Sequence, residues 1–173
     1  MNLTSKKVSK MDLSEYDMDD LLLAAIKSEV SAIEVYATLA EGVKNAFLRD
    51  KLSFLAGEEK KHQEKLESIF RENFHGKEVV LPEESPVPLP QIIFPDEGVP
   101  LSQILDSAMK AEMAANEFYK SLSGLFEDPN TKATLVYLAA MEMGHYKLLE
   151  IEKEYAERFE DFDEYVPMMH AGP

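Results

Sequence analysis

The sequence contains two copies of one pattern, offset by 83 residues and aligned without a gap. The first part of the pattern aligns Ala25, Lys27, Glu29, Ala32, Glu34, Tyr36 and Leu39 with Ala108, Lys110, Glu112, Ala115, Glu117, Tyr119 and Leu122. The second part aligns Leu52, Leu55, Ala56, Glu59, His62, Leu66 and Glu67 with Leu135, Leu138, Ala139, Glu142, His145, Leu149 and Glu150. Apolar residues recur at steps of three and four, the period of one helix face. The repeat therefore predicts two similar pairs of amphipathic helices.

Four helices are predicted, over residues 20–43, 47–73, 101–126 and 130–158. Asp19 or Asp20 is expected to start the first helix and Ser102 the third. Asp128 and Pro129 suit the start of the fourth, because short polar side chains cap helices and proline favours the first helical position. The turns within each pair are short, which predicts antiparallel hairpins. We expect an all-α, antiparallel four-helix bundle with up-down-down-up order.

Residues 74–100 separate the two hairpins and carry six of the nine prolines, so they are not expected to form a helix. An extended segment of this length can run the length of a bundle, at about 3.3 Å per residue. We interpret it as a crossover rather than a linker between independent domains, because a lone hairpin cannot bury its apolar stripe. The expected organisation is an N-terminal extension (1–17), one bundle domain (18–158) and a C-terminal tail (159–173).

Composition excludes several classes of site. The 173 residues include no cysteine, which excludes disulfides, thiolate metal sites and iron–sulfur clusters. Thirty-three acidic against 18 basic residues give a net charge of −15, which repels nucleic acid and attracts cations. We find neither a secretion signal nor an apolar run of membrane-spanning length. The expectation is a cytoplasmic protein with no nucleic-acid or membrane partner.

Each second helix carries a Glu-x-x-His motif on its apolar stripe, Glu59 with His62 and Glu142 with His145. Positions three apart lie about 60° apart on one helix face. Thirty residues upstream of each motif's glutamate stands a further acid on a core stripe, Glu29 or Glu112. Each acid and its motif are equidistant from the turn between their helices, so they should lie at one height in the bundle. Symmetric packing predicts that all six side chains converge in the interior.

Four carboxylates and two imidazoles cannot share a buried site without compensation, because repulsion and desolvation disfavour their charged forms. Two divalent cations balance four carboxylates, and one imidazole can serve each cation. Oxygen and nitrogen donors without sulfur suit iron or manganese better than zinc. We predict a two-metal site ligated by Glu29, Glu59, His62, Glu112, Glu142 and His145.

This ligand pattern resembles that of the ferritin-like di-iron carboxylate proteins, in which two helices give one Glu each and two give Glu-x-x-His. Within that superfamily, the segments "SEVSAIEVY", "GEEKKH", "AEMAANEFY" and "MEMGH" are most similar to the rubrerythrin family. The resemblance covers about residues 20–158 and implies a di-iron centre oxidised by hydrogen peroxide or dioxygen. Manganese or a mixed pair is an alternative metal content. A homo-oligomer, dimeric or larger, is also expected.

Two departures from the rubrerythrin pattern shape this expectation. Rubrerythrins carry a cysteine-ligated rubredoxin module, which this chain lacks, so the electron donor should be external, such as a rubredoxin-like protein. Rubrerythrins also have an extra glutamate where this chain has Ala115, which makes its six-residue set closer to bacterioferritin-type sites.

Tyr36 and Tyr119 follow Glu29 and Glu112 by seven residues and lie only about 20° round the helix from them. We predict that their phenols donate hydrogen bonds to carboxylate ligands; core tyrosines that recur with the repeat are the alternative. The expected catalytic set is Glu29, Glu59, Glu112, Glu142, Tyr36 and Tyr119.

Three other functions remain open on the same ligands. They are ferroxidase and iron storage, a dimanganese catalase-like enzyme, and a non-catalytic bundle stabilised by metal.

Overall fold

The computed structural model describes residues 11–94 and 98–169, without the side chains of residues 159–169. Within these residues the chain forms four α-helices and no strand: α1 (Met18–Gly42), α2 (Ala46–Asn73), α3 (Leu101–Ser123) and α4 (Pro129–Met169). The all-α four-helix fold is therefore as predicted. Residues 1–10 of the predicted extension and 170–173 of the predicted tail lie outside the described residues.

The helix ends match some of the expected caps and not others. The Asp128 carboxylate accepts a 2.7 Å hydrogen bond from the Thr131 amide, which confirms its predicted role at the start of α4. The Asn45 side chain accepts from two amides and caps α2. The cap of α1 is Asp17 rather than Asp19 or Asp20, so this helix begins earlier than predicted. Helix α3 begins at residue 101 as predicted, although its cap position is Pro100 rather than Ser102.

Helix α4 also continues to Met169, well past the predicted end near residue 158. Residues 159–166 contain neither glycine nor proline, so the sequence offers no stop signal there.

Two clusters of buried apolar side chains fill the two halves of the bundle. The Leu22 cluster joins the start of α1 to the end of α2, the end of α3 and the start of α4, through Leu21, Leu22, Ile69, Phe70, Phe118, Leu122, Leu135 and Leu138. The Leu52 cluster joins the opposite ends of the same helices, through Val35, Leu39, Leu48, Leu52, Ile104, Leu105, Leu149 and Ala156. The helices therefore run up, down, down and up, with α1 packed on α2, α3 on α4, and α2 on α4.

The segment between α2 and α3 contains no helix or strand in its described residues. Val87 is buried in the Leu22 cluster, where Val79, Leu81 and Leu89 also pack. Further along the segment, Ile92 packs against the Leu52 cluster. The segment thus lies along the bundle and contacts both halves of its core. Among the described helices, none has the combined length and apolar character needed to cross a membrane.

Candidate metal centre

A belt of polar side chains lies between the two apolar clusters, at mid-bundle. Its members are the six predicted ligands, none more than 4% exposed: Glu29, Glu59, His62, Glu112, Glu142 and His145. Each lies on the core stripe of its helix; Glu29, for example, lies between Ile26 of one cluster and Val35 of the other. The helical period that buries the leucines therefore also buries these acids and imidazoles.

The centre of the belt is formed by the two Glu-x-x-His pairs. The Nδ1 atom of His62 lies 2.9 Å from an oxygen of Glu59 and 3.0 Å from an oxygen of Glu142. The Nδ1 atom of His145 lies 2.8 Å and 3.1 Å from the other oxygens of the same two carboxylates. Each carboxylate thus directs one oxygen to each histidine. The two rings stack, with centroids 5.3 Å apart and planes 19° apart.

Glu29 and Glu112 flank this centre on opposite sides. An oxygen of Glu29 lies 3.9 Å from Nδ1 of His62, and an oxygen of Glu112 lies 3.7 Å from Nδ1 of His145. Each outer acid is therefore nearest to the histidine of its own hairpin, which gives the site approximate twofold symmetry.

The two tyrosines connect the hairpins. The Tyr36 hydroxyl of α1 donates a hydrogen bond to Glu112 of α3, and the Tyr119 hydroxyl of α3 donates to Glu29 of α1. Both tyrosines are at most 1% exposed, so each hydroxyl needs a partner within the protein. Each phenol thus contacts the acid of the other hairpin rather than the acid on its own helix.

Burial and neighbouring charges shift the protonation of the outer acids. Burial, then repulsion from Glu142 and Glu59, raises the pKa of Glu29 well above its usual range. Burial and the charge of Glu59 do the same to Glu112. Burial, followed by the charge of Glu112, raises the pKa of Tyr36, so its phenol keeps the proton that it donates.

The inner groups shift in the opposite sense. Burial alone would raise the pKa of Glu59, but the close contacts of His145 and His62 with its oxygens lower it to about 2. Burial alone would lower the pKa of both imidazoles, but the surrounding carboxylates raise it to about 9 for His62 and about 12 for His145. These shifts favour protonation of the outer acids and of both imidazoles in the metal-free site.

The donor set fits a metal better than it fits hydrogen bonding. Five buried atoms of the belt lack a hydrogen bond of acceptable geometry: both oxygens of Glu59, one of Glu142, Nδ1 of His62 and Nε2 of His145. The close approaches of His62 to the carboxylates are thus ion-pair contacts without hydrogen-bond alignment. Donor atoms of Glu59, His62, Glu142 and His145 all lie within 4.8 Å of one another. Buried unpartnered donors at this spacing can hold a metal ion, which would satisfy them.

A cavity of about 40 Å³ lies beside these carboxylates, between α1, α3 and the segment that joins the hairpins. Its walls include Ala32, Ala115 and Leu89. No sequence pattern predicted a place at the site for Ala32 or Leu89. The helical period places Ala32 on the same face as Glu29, but an alanine gives no chemical signal, and an irregular segment has no period from which its contacts can be predicted.

The fold has counterparts among known structures. A hypothetical protein from Pyrococcus furiosus is 37% identical, with a TM-score of 0.77 over 86% of this chain and 95% of that one. Two structures of KatB, a manganese catalase from Anabaena, have TM-scores of 0.61 and 0.59 at 20% and 23% identity. These cover 86% and 90% of this chain and 78% and 80% of KatB, and at such identities they show a shared fold alone.

No curated protein sequence matches the chain. A sequence model of the rubrerythrin family matches residues 20–163, a range that contains all four belt carboxylates and both histidines. The chain therefore belongs to the rubrerythrin family.

Proposed function

We propose that this protein is a non-haem di-iron oxidoreductase that reduces hydrogen peroxide or dioxygen with electrons from an external donor. One observation carries the proposal: Glu59, His62, Glu142 and His145 offer buried donor atoms within 4.8 Å of one another. Membership of the rubrerythrin family supports the oxidoreductase class.

The proposed ligands are the six belt residues, in two equivalent groups. Glu59 and Glu142 would supply the central carboxylate ligands, because each directs one oxygen to each histidine. Glu29, beside His62, and Glu112, beside His145, would supply the outer carboxylate ligands. Four carboxylates would then balance two divalent cations, which removes the repulsion that raises the pKa of the outer acids.

Two ferrous ions, when bound, supply the two electrons that convert one hydrogen peroxide and two protons into two waters. The contribution of the protein is to hold the ligands and to exclude water from them. Tyr36 and Tyr119 are proposed to fix the outer carboxylates by donating their phenolic protons.

Re-reduction requires a partner, because the chain has no cysteine to bind a redox iron of its own. We propose an external donor such as a rubredoxin-like protein. Cytoplasmic location and homo-oligomerisation stay predictions.

A dimanganese catalase is the second candidate. The oxygen and nitrogen donors suit manganese as well as iron, and the bundle shares its fold with a manganese catalase. In that reaction one peroxide would be oxidised to dioxygen for each peroxide reduced, so no external donor would be needed.

Metal analysis followed by rapid mixing tests these proposals. Protein purified without added metal should contain iron, and after anaerobic loading with two ferrous ions it should be oxidised faster by hydrogen peroxide than by dioxygen. Glu59→Ala should lose at least one metal and slow this oxidation. Glu58→Ala is its matched control, because the adjacent Glu58 pairs with Lys61 outside the belt. Accumulating ferric mineral would instead indicate iron storage, and dioxygen release from the manganese form would indicate catalase activity. Failure of the loaded protein to react with either oxidant would refute the enzyme proposal and favour a structural metal.

A further inference from the structure

The cavity beside the carboxylates is covered by part of the segment between α2 and α3, residues 85–92, which we call the strap. Val87 anchors one end of the strap, because its side chain is 2% exposed within the Leu22 cluster. Just past the other end, the Ile93 amide donates a 2.9 Å hydrogen bond to Ser107 of α3. The strap is thus fixed on both sides of the cavity, and Leu89 and Pro90 lie over it.

The helices present small side chains to this cavity. Ala24, Ser28 and Ala32 of α1 face Ala111 and Ala115 of α3. Ala32 and Ala115 are equivalent positions of the repeat, so the narrow space has similar walls on both sides. On the opposite face of the bundle, α2 packs against α4.

The inner end of the cavity is polar. Glu59 and Glu142 line it, each 1% exposed, and each has at least one oxygen without a hydrogen bond. A molecule in the cavity would therefore reach the two carboxylates that contact both histidines.

We propose that this cavity is the route by which the oxidant reaches the centre, and that Ala32, Ala115 and Leu89 limit it to molecules of two heavy atoms. The inference rests on the proposed function and names its substrate class, namely hydrogen peroxide or dioxygen but not organic hydroperoxides. A volume of about 40 Å³ accommodates about three water-sized spheres. An aryl or branched alkyl hydroperoxide exceeds that space unless the strap moves.

Two sets of substitutions test the route. Ala115→Leu and Ala32→Leu fill the cavity and should slow oxidation of the ferrous protein by hydrogen peroxide at least tenfold. Ala37→Leu is the matched control, since Ala37 is an exposed alanine of α1 outside the cavity. Leu89→Ala widens the cavity and should raise the rate with cumene hydroperoxide relative to hydrogen peroxide at least tenfold. Leu81→Ala is its control, because Leu81 packs on the same cluster without lining the cavity.

Nitric oxide binding to the ferrous protein under anaerobic conditions, followed by visible absorption, gives a readout independent of turnover with a probe of two heavy atoms. Its association rate should fall in both leucine variants and stay unchanged in Ala37→Leu. Unchanged nitric oxide and peroxide rates in both leucine variants, at full metal content, would overturn the route while leaving the proposed function intact. If neither oxidant reacts but nitric oxide binding responds, the function fails and the route stands. If the leucine variants do not load metal, Leu89→Ala provides the test. An unchanged ratio of its oxidation rates with cumene hydroperoxide and with hydrogen peroxide would reject the size limit.

Discussion

The hydrogen bond from Tyr119 to Glu29 should contribute to metal affinity, and Tyr119→Phe removes it without changing the packed ring. Burial raises the pKa of Glu29 well above its usual range, which favours its neutral form in the metal-free protein. A hydrogen bond to a neutral group contributes about 1 kcal/mol, and one to a charged group about 2.5 kcal/mol. Metal binding makes Glu29 a carboxylate, so the bond gains about 1.5 kcal/mol in the loaded state. We expect roughly a tenfold loss of affinity for one metal.

Titration against a competing chelator measures this loss, with metal content and thermal unfolding as companion readouts. Tyr36→Phe should give a similar loss, because it removes the equivalent bond to Glu112. Tyr155→Phe is the control, since Tyr155 is 51% exposed. The loaded protein should lose more thermal stability than the metal-free protein in both buried variants. Wild-type affinity for both metals in Tyr119→Phe would refute the reasoning, because the phenol would then not distinguish the charged from the neutral acid.

Four further predictions concern the ligands, the metal, pH and one helix cap. Glu59→Ala or Glu142→Ala should abolish binding of at least one metal while the helices form, which metal stoichiometry and circular dichroism measure; retention of two metals at native affinity would reject the ligand assignment. Removing metal present at 100 times its dissociation constant should lower the free energy of unfolding by about 2.7 kcal/mol per site, or roughly 5–11 °C in melting temperature; an unchanged melting temperature would contradict binding to the folded state. Because the pKa values of about 9 for His62 and about 12 for His145 lie above 7, a bound metal must displace protons from these imidazoles, so metal affinity should fall as pH falls. Calorimetry in buffers of different ionisation enthalpy counts the protons released on metal binding, and a count of zero would contradict the raised pKa values. Asn45→Ala removes the cap of α2 and should lower stability by about 1 kcal/mol in denaturant unfolding, with metal content unchanged.

The arrangement of the six belt residues could be predicted from the sequence because successive residues of a helix are rotated by a fixed angle about its axis. Glu59 and His62 are three residues apart and must share a face once the helix forms. The equal distances of Glu29 and Glu59 from the first turn set their common height. Neither inference depends on how the loops are built. In the structure, donor atoms of Glu59, His62, Glu142 and His145 lie within 4.8 Å of one another, with Glu29 3.9 Å from His62 and Glu112 3.7 Å from His145.

The hydrogen-bond partners of Tyr36 and Tyr119 could not be predicted from the sequence in the same way. Seven residues of helix separate Tyr36 from Glu29, about 10 Å along the axis, so the phenol does not reach the acid of its own helix. Which acid of the other hairpin lies opposite depends on how the hairpins pack, and no local pattern encodes that packing. The contacts of the strap could not be predicted because its residues follow no helical or strand period. The full length of α4 was missed because the sequence has no stop signal between residue 158 and Pro167.

The crossed phenol contacts mean that neither hairpin is self-sufficient. Glu29 has its phenol donor only when the second hairpin supplies Tyr119, and the reverse holds for Glu112 and Tyr36. An isolated hairpin of this kind could therefore complete such a centre only as a pair of copies. In this chain the two halves are joined and differ outside the belt: Asn116 is buried and donates to the Ala139 carbonyl, whereas its repeat equivalent is Ile33. The approximate twofold symmetry thus holds at the belt without holding throughout the bundle.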